Sequence, residues 1–178
     1  MNLFERTFKH WRTVAKHRRE VRKLCFKCGL YWQGLTHDLS KYSPVEFING
    51  VKFFTGTCSP HLGERRTYGY SKAWLNHKGH NKHHAEYWHD IVNGKTQPID
   101  MPVKYYVEML CDRIAACKIY LGSDYTPAAP WNYYRTHKDE NQFSEFTRAM
   151  LETHLNYMAT TGEEKLINLL RELVQNDK

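Results

Sequence analysis

The chain has 178 residues, of which 41% are hydrophobic, 14% aromatic and 25% charged. This composition is typical of a folded domain and excludes a predominantly disordered chain, which is poorer in aromatic residues. No apolar run approaches the roughly 20 residues of a membrane-spanning helix, and the five cysteines show no disulfide framework. We therefore expect a cytoplasmic protein with free thiols and no membrane partner.

The net charge of +7 is concentrated at the N-terminus. Residues 1–28 contain nine Lys or Arg and two Glu, so this segment alone carries 9 − 2 = +7. Such a segment attracts phosphates, nucleic acid or an acidic partner, but basic residues are also common on solvated helix faces. Nucleic acid therefore stays open as a partner, and the sequence does not indicate an oligomeric state.

Helices are predicted from the N-terminus onward. Apolar residues recur at three- and four-residue steps over 4–28, which predicts an amphipathic helix with one buried stripe that contains His17. A short helix follows over 30–39. The string SPVE at 43–46 predicts a new helix start with a capping box, and this helix should reach about residue 54.

The rest of the chain is also predicted as helices and loops, with no strand. Residues 55–70 and 122–141 are rich in Gly, Pro and polar residues and are predicted as long loops. Further helices are predicted over 71–92, 103–121, 142–159 and 163–175. The sequence thus predicts an all-α protein with a single domain over 1–178.

Four polar residues occupy positions that the helix pattern predicts to be buried. His17 interrupts the first apolar stripe, His37 and Asp38 follow the apolar-rich LYWQGL, and Asp112 lies in the apolar helix 103–121. Burying such side chains is costly unless something compensates them. A divalent cation would compensate all four together, because imidazole nitrogens and carboxylate oxygens are its usual ligands.

The strings KHRREV, LTHDLSKYSP and EMLCDRIAA contain these residues in the order His, His-Asp, Asp. This order resembles the HD superfamily of metal-dependent phosphohydrolases. More narrowly, LTHDLSKYSPVEF, NKHHAEYW and EMLCD resemble DUF5662, a small uncharacterised family of bacteria and phages, over about residues 10–120. The HD resemblance implies a compact HD-type domain of six to seven helices, with a metal-site core over about 10–120 and helices 142–175 packing on it.

The HD resemblance also implies a ligand set. His17, His37, Asp38 and Asp112 would bind a divalent metal ion, with positions left for water and a substrate oxygen. Mn, Fe, Zn, Co, Ni and Mg all remain candidates, and two ions are an open possibility.

A histidine-rich segment, HKGHNKHH, offers further ligands. On the predicted helix His77, His80 and His84 share one face and His83 lies beside them. HD enzymes with two metals use additional histidines between the His-Asp pair and the last Asp, so the resemblance implies a second metal position or a phosphate contact here. The alternative is that one or two of these histidines contact phosphate and the others lie on the surface.

Five side chains are candidates for binding substrate. Lys41 matches a lysine that some HD phosphodiesterases place against the phosphate. Arg18 and Arg113 neighbour the predicted ligands and have guanidinium groups suited to phosphate. Tyr87 and Trp88 flank the histidines and could stack on a nucleobase. Each also has an ordinary alternative, as a solvated lysine or arginine or as a packed aromatic residue.

We expect a metal-dependent phosphohydrolase that acts on a nucleotide or another small phosphoester through a metal-activated water. Asp38 would bridge metal and water, Lys41 would contact the phosphate, and His83 or His84 would protonate the leaving oxygen. Two alternatives stay open. One is an HD-type di-iron oxygenase, and the other is a non-catalytic, metal-stabilised protein that binds a nucleotide or nucleic acid.

Overall fold

The computed structural model describes residues 1–137 and 142–177, and this part of the chain is mostly helical. Its nine α-helices are α1 (Leu3–Lys27), α2 (Tyr31–Thr36), α3 (Pro44–Lys52), α4 (Pro60–Tyr68), α5 (Lys72–His80), α6 (Val103–Leu121), α7 (Ala129–Thr136), α8 (Glu145–Thr161) and α9 (Glu163–Asn176). Short 3₁₀ turns occur at Leu39–Tyr42, Ala85–Tyr87 and Gly122–Asp124, and β1 (His89–Val92) pairs antiparallel with β2 (Lys95–Pro98). The helical class is confirmed, but six to seven helices was too few.

The core lies between α1, α6, α8 and α9. Its buried side chains include Val21, Leu24, Leu110, Ile114, Leu151, Leu155, Leu166 and Leu170. Burying one such aliphatic side chain stabilises the fold by about 1.5–3 kcal/mol. The two helices that carry His17 and Asp112 are therefore anchored by the best-packed part of the molecule. None of the described helices is both long enough and apolar enough to span a bilayer.

Three buried cysteines pack where α1 meets α6. Cys25, Cys28 and Cys111 are free thiols with no exposed surface. Hydrogen bonds with Cys25 and Cys28, together with burial, raise the pKa of Cys111 well above its usual value. A thiol with a raised pKa stays neutral, so Cys111 acts as a small apolar packing group. Cys25 and Cys28 pack beside it in the core.

The two predicted loops each contain a helix. Within 55–70, α4 begins at Pro60 and ends before Gly69, whose φ of 79° suits glycine at a helix C-terminus. Within 122–141, α7 likewise has a proline in its first turn; residues 138–141 lie outside the described part. The glycines and prolines that favoured loops instead mark the ends of short helices.

The helix predicted over 71–92 is wrong beyond His80. There Asn81 leaves the helix with φ −122° and ψ 100°, and its side-chain amide donates to the carbonyl of His77 at 2.7 Å. The same carbonyl also accepts from the Asn81 backbone N–H at 3.1 Å, so the side chain and backbone of Asn81 together cap the end of α5. The residues after Asn81 are released from the helix and run back across the end of α5 into the hairpin.

The hairpin is also a correction, because no strand was predicted. Asn93 and Gly94 form its two-residue turn with φ values of 53° and 75°. A type I′ turn requires positive φ at both central residues, and Asn-Gly is its preferred sequence. This dipeptide therefore carried a hairpin signal that the histidine-rich helix pattern obscured.

Candidate metal centre

Three parts of the fold bring the four predicted ligands together. His17 lies on α1, Asp112 lies on α6, and His37 and Asp38 form the turn that follows α2. Asp38 has a φ of 55°, in the left-handed region that short polar side chains tolerate better than most. The helix predicted over 30–39 instead ends at Thr36, because His37 leaves it with φ −45° and ψ 124°, and the 3₁₀ turn that carries Lys41 starts after Asp38.

The imidazoles and carboxylates of this first group lie within a few ångströms of one another. His17 Nε2 is 2.8 Å from Asp112 Oδ1 and 3.9 Å from Asp38 Oδ2. His37 Nε2 is 3.4 Å from Asp38 Oδ2 and 3.7 Å from Asp112 Oδ1. Atoms that bind one ion at about 2.0–2.2 Å lie roughly 3–3.6 Å apart. Ligand atoms of His17, His37 and Asp38 all lie within 4.8 Å of one another. Asp112 joins them through its contacts with the two imidazoles, so the structure brings the four predicted residues together.

A second group adjoins the first through Asp38. Ligand atoms of Asp38, His77, His83 and His84 lie within 4.8 Å of one another. Asp38 Oδ1 is 3.3 Å from His77 Nε2 and 3.5 Å from His83 Nε2, while Oδ2 belongs to the first group. His80 does not join them, because it is exposed and its Nδ1 bonds the carbonyl of Asn76 at 2.7 Å. The turn after α5, rather than one helix face, brings His83 and His84 to His77.

Many of the polar atoms in the two groups lack a hydrogen bond, although they lie within ion-pair distance of one another. Within the described residues, the buried atoms without a hydrogen bond include Nε2 of His17, His37, His83 and His84 and Oδ1 of Asp38. Leaving such an atom unsatisfied costs about 1–3 kcal/mol. These imidazole nitrogens and the carboxylate oxygen, divided between the two groups, are the kinds of donor that a divalent transition-metal ion prefers. The residues present therefore fit a metal ion.

Two glutamates orient three of the histidines from behind. Glu108 Oε1 lies 2.8 Å from His37 Nδ1 and 3.1 Å from His83 Nδ1. Glu46 Oε2 lies 2.8 Å from His77 Nδ1. A carboxylate behind a metal-binding histidine accepts a hydrogen bond from its Nδ1–H, which keeps the proton on Nδ1 and leaves Nε2 free to bind the ion. The glutamates thus fix which nitrogen of each ring points inward.

The two carboxylates of the first group are ionised. Burial alone would raise the pKa of Asp38, but His37, Lys41 and His77 hold it well below its usual value. Burial likewise raises the pKa of Asp112, while His17 and His37 lower it further than burial raises it. Both groups are therefore carboxylates. A bound cation supplies the same stabilising charge between them.

The surroundings of His84 favour its neutral form. Burial, with His83 and His77 nearby, holds the pKa of His84 well below 6.5. Its imidazole is therefore neutral at physiological pH, which is the form that binds metals.

A family model matches residues 6–157, a range that contains every residue of the two groups. The chain belongs to the DUF5662 family. That family is one of unknown function. No curated protein and no solved structure matches the chain. Membership in DUF5662 therefore identifies relatives but assigns no reaction.

The substrate residues predicted in this DUF5662 chain occupy different environments. Lys41 Nζ lies 2.8 Å from Asp38 Oδ2, beside the candidate ligands. The guanidinium of Arg18 instead donates to the carbonyls of His37 at 2.7 Å and Leu35 at 3.1 Å, so it braces the turn that carries the ligands. Arg113 has a buried Nε without a hydrogen-bond partner in the described chain.

Tyr87 and Trp88 lie away from the ligand groups. The indole of Trp88 donates to the carbonyl of Lys82 at 2.6 Å and its ring packs against Tyr105. Tyr87 is partly exposed, with the ammonium of Lys82 over its ring. Neither residue lines either of the two cavities at the centre.

Those two cavities reach the candidate ligands. The first cavity, about 220 Å³, includes His17, Lys41 and Asp112 in its wall, together with Val14, Phe54, His61, Ile119 and Tyr120. The second cavity, about 250 Å³, includes His83, His84 and Asp112, together with Trp74, Glu86, Arg113 and Tyr133. The ligand groups are therefore accessible to molecules of small size.

His61, like Glu46 and Glu108, was not predicted as a site residue. Burial, with Lys41 and His77 nearby, lowers the pKa of His61 to about 3. Its neutral ring lies in the wall of the first cavity, with Nδ1 3.4 Å from the hydroxyl of Ser71. A sequence signal existed for Glu108, because it lies four residues before Asp112 on the same helix face.

Proposed function

We propose that this chain is a metal-dependent phosphohydrolase of HD type that acts on a nucleotide or another small phosphoester. The observation that supports it most is the set of five buried nitrogen and oxygen atoms that converge without hydrogen-bond partners in the described chain. The two groups joined by Asp38 would hold one divalent ion each. The four residues of the first group are also those that carry the resemblance to HD enzymes.

A divalent ion bound there would supply two kinds of chemistry, because it lowers the pKa of coordinated water towards 7 and polarises a phosphoryl oxygen. Asp38 offers one oxygen to each group and would therefore keep the two metal positions at a fixed separation. Glu46 accepts from Nδ1 of His77, and Glu108 accepts from Nδ1 of His37 and His83, so Nε2 of each ring would face an ion. Lys41, 2.8 Å from Asp38, places an ammonium beside the carboxylates, where it would bind a phosphate oxygen.

His83 and His84 were predicted as proton donors, but their position also suits metal binding. Nε2 of His83 and Nε2 of His84 are both buried within the second group. An imidazole nitrogen that binds a metal ion cannot also deliver a proton, because both tasks use the same lone pair. We therefore assign His83 and His84 to the second ion when it is bound, and the leaving oxygen then takes its proton from solvent.

The first test measures metal and activity together. Protein purified without chelators should contain bound transition metal by elemental analysis and release phosphate or a nucleoside phosphate from a nucleotide panel. Asp112→Asn and His84→Ala should lose metal and activity. His80→Ala is the matched control, because His80 is exposed and lies outside both groups. Full metal content in Asp112→Asn would contradict the ligand assignment.

The same experiment separates the alternatives. Iron-loaded protein that consumes dioxygen and releases no phosphate would replace the hydrolase with an HD-type di-iron oxygenase. Nucleotide or nucleic-acid binding without turnover, in a protein that unfolds when the metal is removed, would indicate a binding protein whose metal is structural.

A further inference from the structure

We infer that the site takes a substrate with an arm on each side of the reacting phosphorus, a phosphodiester rather than a terminal phosphate monoester. This inference rests on the proposed function. The first and second cavities both reach the candidate ligands, yet among the described residues Asp112 is the one wall residue they share. A phosphate held at the ligands therefore has open space in two separate directions.

The sizes of the cavities support two arms. At about 220 and 250 Å³, each lies below the roughly 300–1,000 Å³ of pockets that enclose whole small-molecule ligands. Taken together they fall within that range. A monoester would use one cavity and leave the other to water, whereas a diester of nucleotide size would fill both.

The first cavity suits an apolar arm. Val14, Phe54 and Ile119 form an apolar wall, and Lys41 supplies a positive charge at the end next to Asp38. The ammonium would hold the phosphate and the wall would contact an uncharged group beyond it. An arm bearing a second phosphate would meet an apolar surface there and lose its hydration without compensation.

The second cavity suits a planar arm that accepts hydrogen bonds. Arg113 has a buried Nε without a partner and forms no ion pair within residues 1–137 and 142–177. Trp74 and Tyr133 add aromatic surface, and Glu86 places a carboxylate in the same wall. The carboxylate offsets the guanidinium charge, which favours a neutral acceptor such as a nucleobase over a second anion. The geometry thus assigns the nucleoside arm to the second cavity.

The reaction balances without a redox partner. Water attacks the phosphorus, a bond forms between the phosphorus and the water oxygen, and the bond from phosphorus to the oxygen of the arm in the first cavity breaks. The electron pair stays on that oxygen, which gains a proton and leaves as an alcohol. The second proton of the water is released, and the other arm stays attached to a phosphate monoester.

The test compares two chromogenic substrates on the metal-loaded full chain. Thymidine 5′-(4-nitrophenyl phosphate) is a diester with one aromatic and one nucleoside arm, and 4-nitrophenyl phosphate is the matching monoester. We expect kcat/KM to be at least about tenfold higher for the diester. A monoester hydrolysed as well as or better than the diester would overturn the inference and leave the proposed function standing. Metal-loaded protein that hydrolyses neither would overturn the proposed function itself.

Three exposed tyrosines provide matched variants that should fold. Tyr120 lines the first cavity, Tyr133 lines the second, and Tyr70 lines neither; they are 53%, 57% and 56% exposed. We expect Tyr120→Ala and Tyr133→Ala each to lower kcat/KM for the diester about three- to tenfold through lost contact with an arm. Tyr70→Ala should leave it unchanged, and all three should keep their metal. A diester rate unaffected by either cavity variant would refute the two-arm arrangement.

Discussion

Replacing Glu108 with glutamine is the sharpest test of how the ligands are positioned. One oxygen of Glu108 holds both His37 and His83, at 2.8 and 3.1 Å from their Nδ1 atoms. Removing such an outer partner typically costs 10–100-fold in metal affinity, or about 1.4–2.8 kcal/mol. Glutamine keeps the size and an acceptor oxygen but loses the charge. Because one substitution loosens two ligands, we expect a loss near the upper end of that range.

The comparison with Glu46 makes this prediction quantitative. Glu46 contacts one ligand ring, that of His77, so Glu46→Gln should weaken metal binding about tenfold, less than Glu108→Gln. Glu172 is exposed, and Glu172→Gln serves as the control. Metal affinity is measured by titrating metal-free protein against a fluorescent chelator, with thermal unfolding recorded in parallel. Affinities of both variants within about twofold of the unaltered protein would show that these carboxylates do not orient the ligands.

Two further outcomes follow from the packing of His10. A Cβ at Gly50 would lie 2.3 Å from His10 Nε2, so Gly50→Ala should destabilise the fold by about 1–3 kcal/mol in urea unfolding. Gly79 has open space around it, and Gly79→Ala should instead stabilise by about 0.5–1 kcal/mol. Equal effects of the two substitutions would contradict this reasoning. Burial, with Lys41 nearby, lowers the pKa of His10 from 6.5 to about 4. The unfolded chain then binds a proton that the folded chain does not between these pH values. The free energy of unfolding should therefore fall as pH drops from 6.5 to 4, and His10→Gln should flatten that slope. Urea unfolding at several pH values measures both slopes, and the same slope in the variant as in the unaltered protein would contradict this prediction.

The candidate ligands could be predicted from the sequence because each breaks an apolar pattern. His17 lies in the stripe of α1 between Val14 and Val21, and Asp112 lies in a helix predicted with its observed bounds, Val103–Leu121. A polar residue at a buried helical position signals a site whatever its partners are. The pattern could not show that the carboxylate of Asp38 joins two groups, because that depends on the left-handed turn at Asp38.

The glutamates that support the candidate ligands were not predicted, because local sequence patterns already explained their presence. Glu46 fitted a capping box, and Ser43 does accept from the Glu46 backbone at 3.5 Å. Its carboxylate, however, bonds Asn76 and His77, which are thirty residues away in sequence. The string SP at 59–60 repeats the helix-start signal read at 43–44, yet the glycines around it favoured a loop. Contacts between residues far apart in sequence determine the role of such residues, and local sequence patterns do not predict those contacts.

Asp38 supplies Oδ2 to one set of imidazoles and Oδ1 to the other, so two ions bound there would be thermodynamically linked. An ion in either position changes the charge and orientation of the carboxylate that the other ion needs. By reciprocity, the free energy by which the first ion alters the binding of the second equals that by which the second alters the first. Stepwise metal titration should therefore yield two association constants whose ratio departs from the purely statistical ratio, even if the isolated positions were identical.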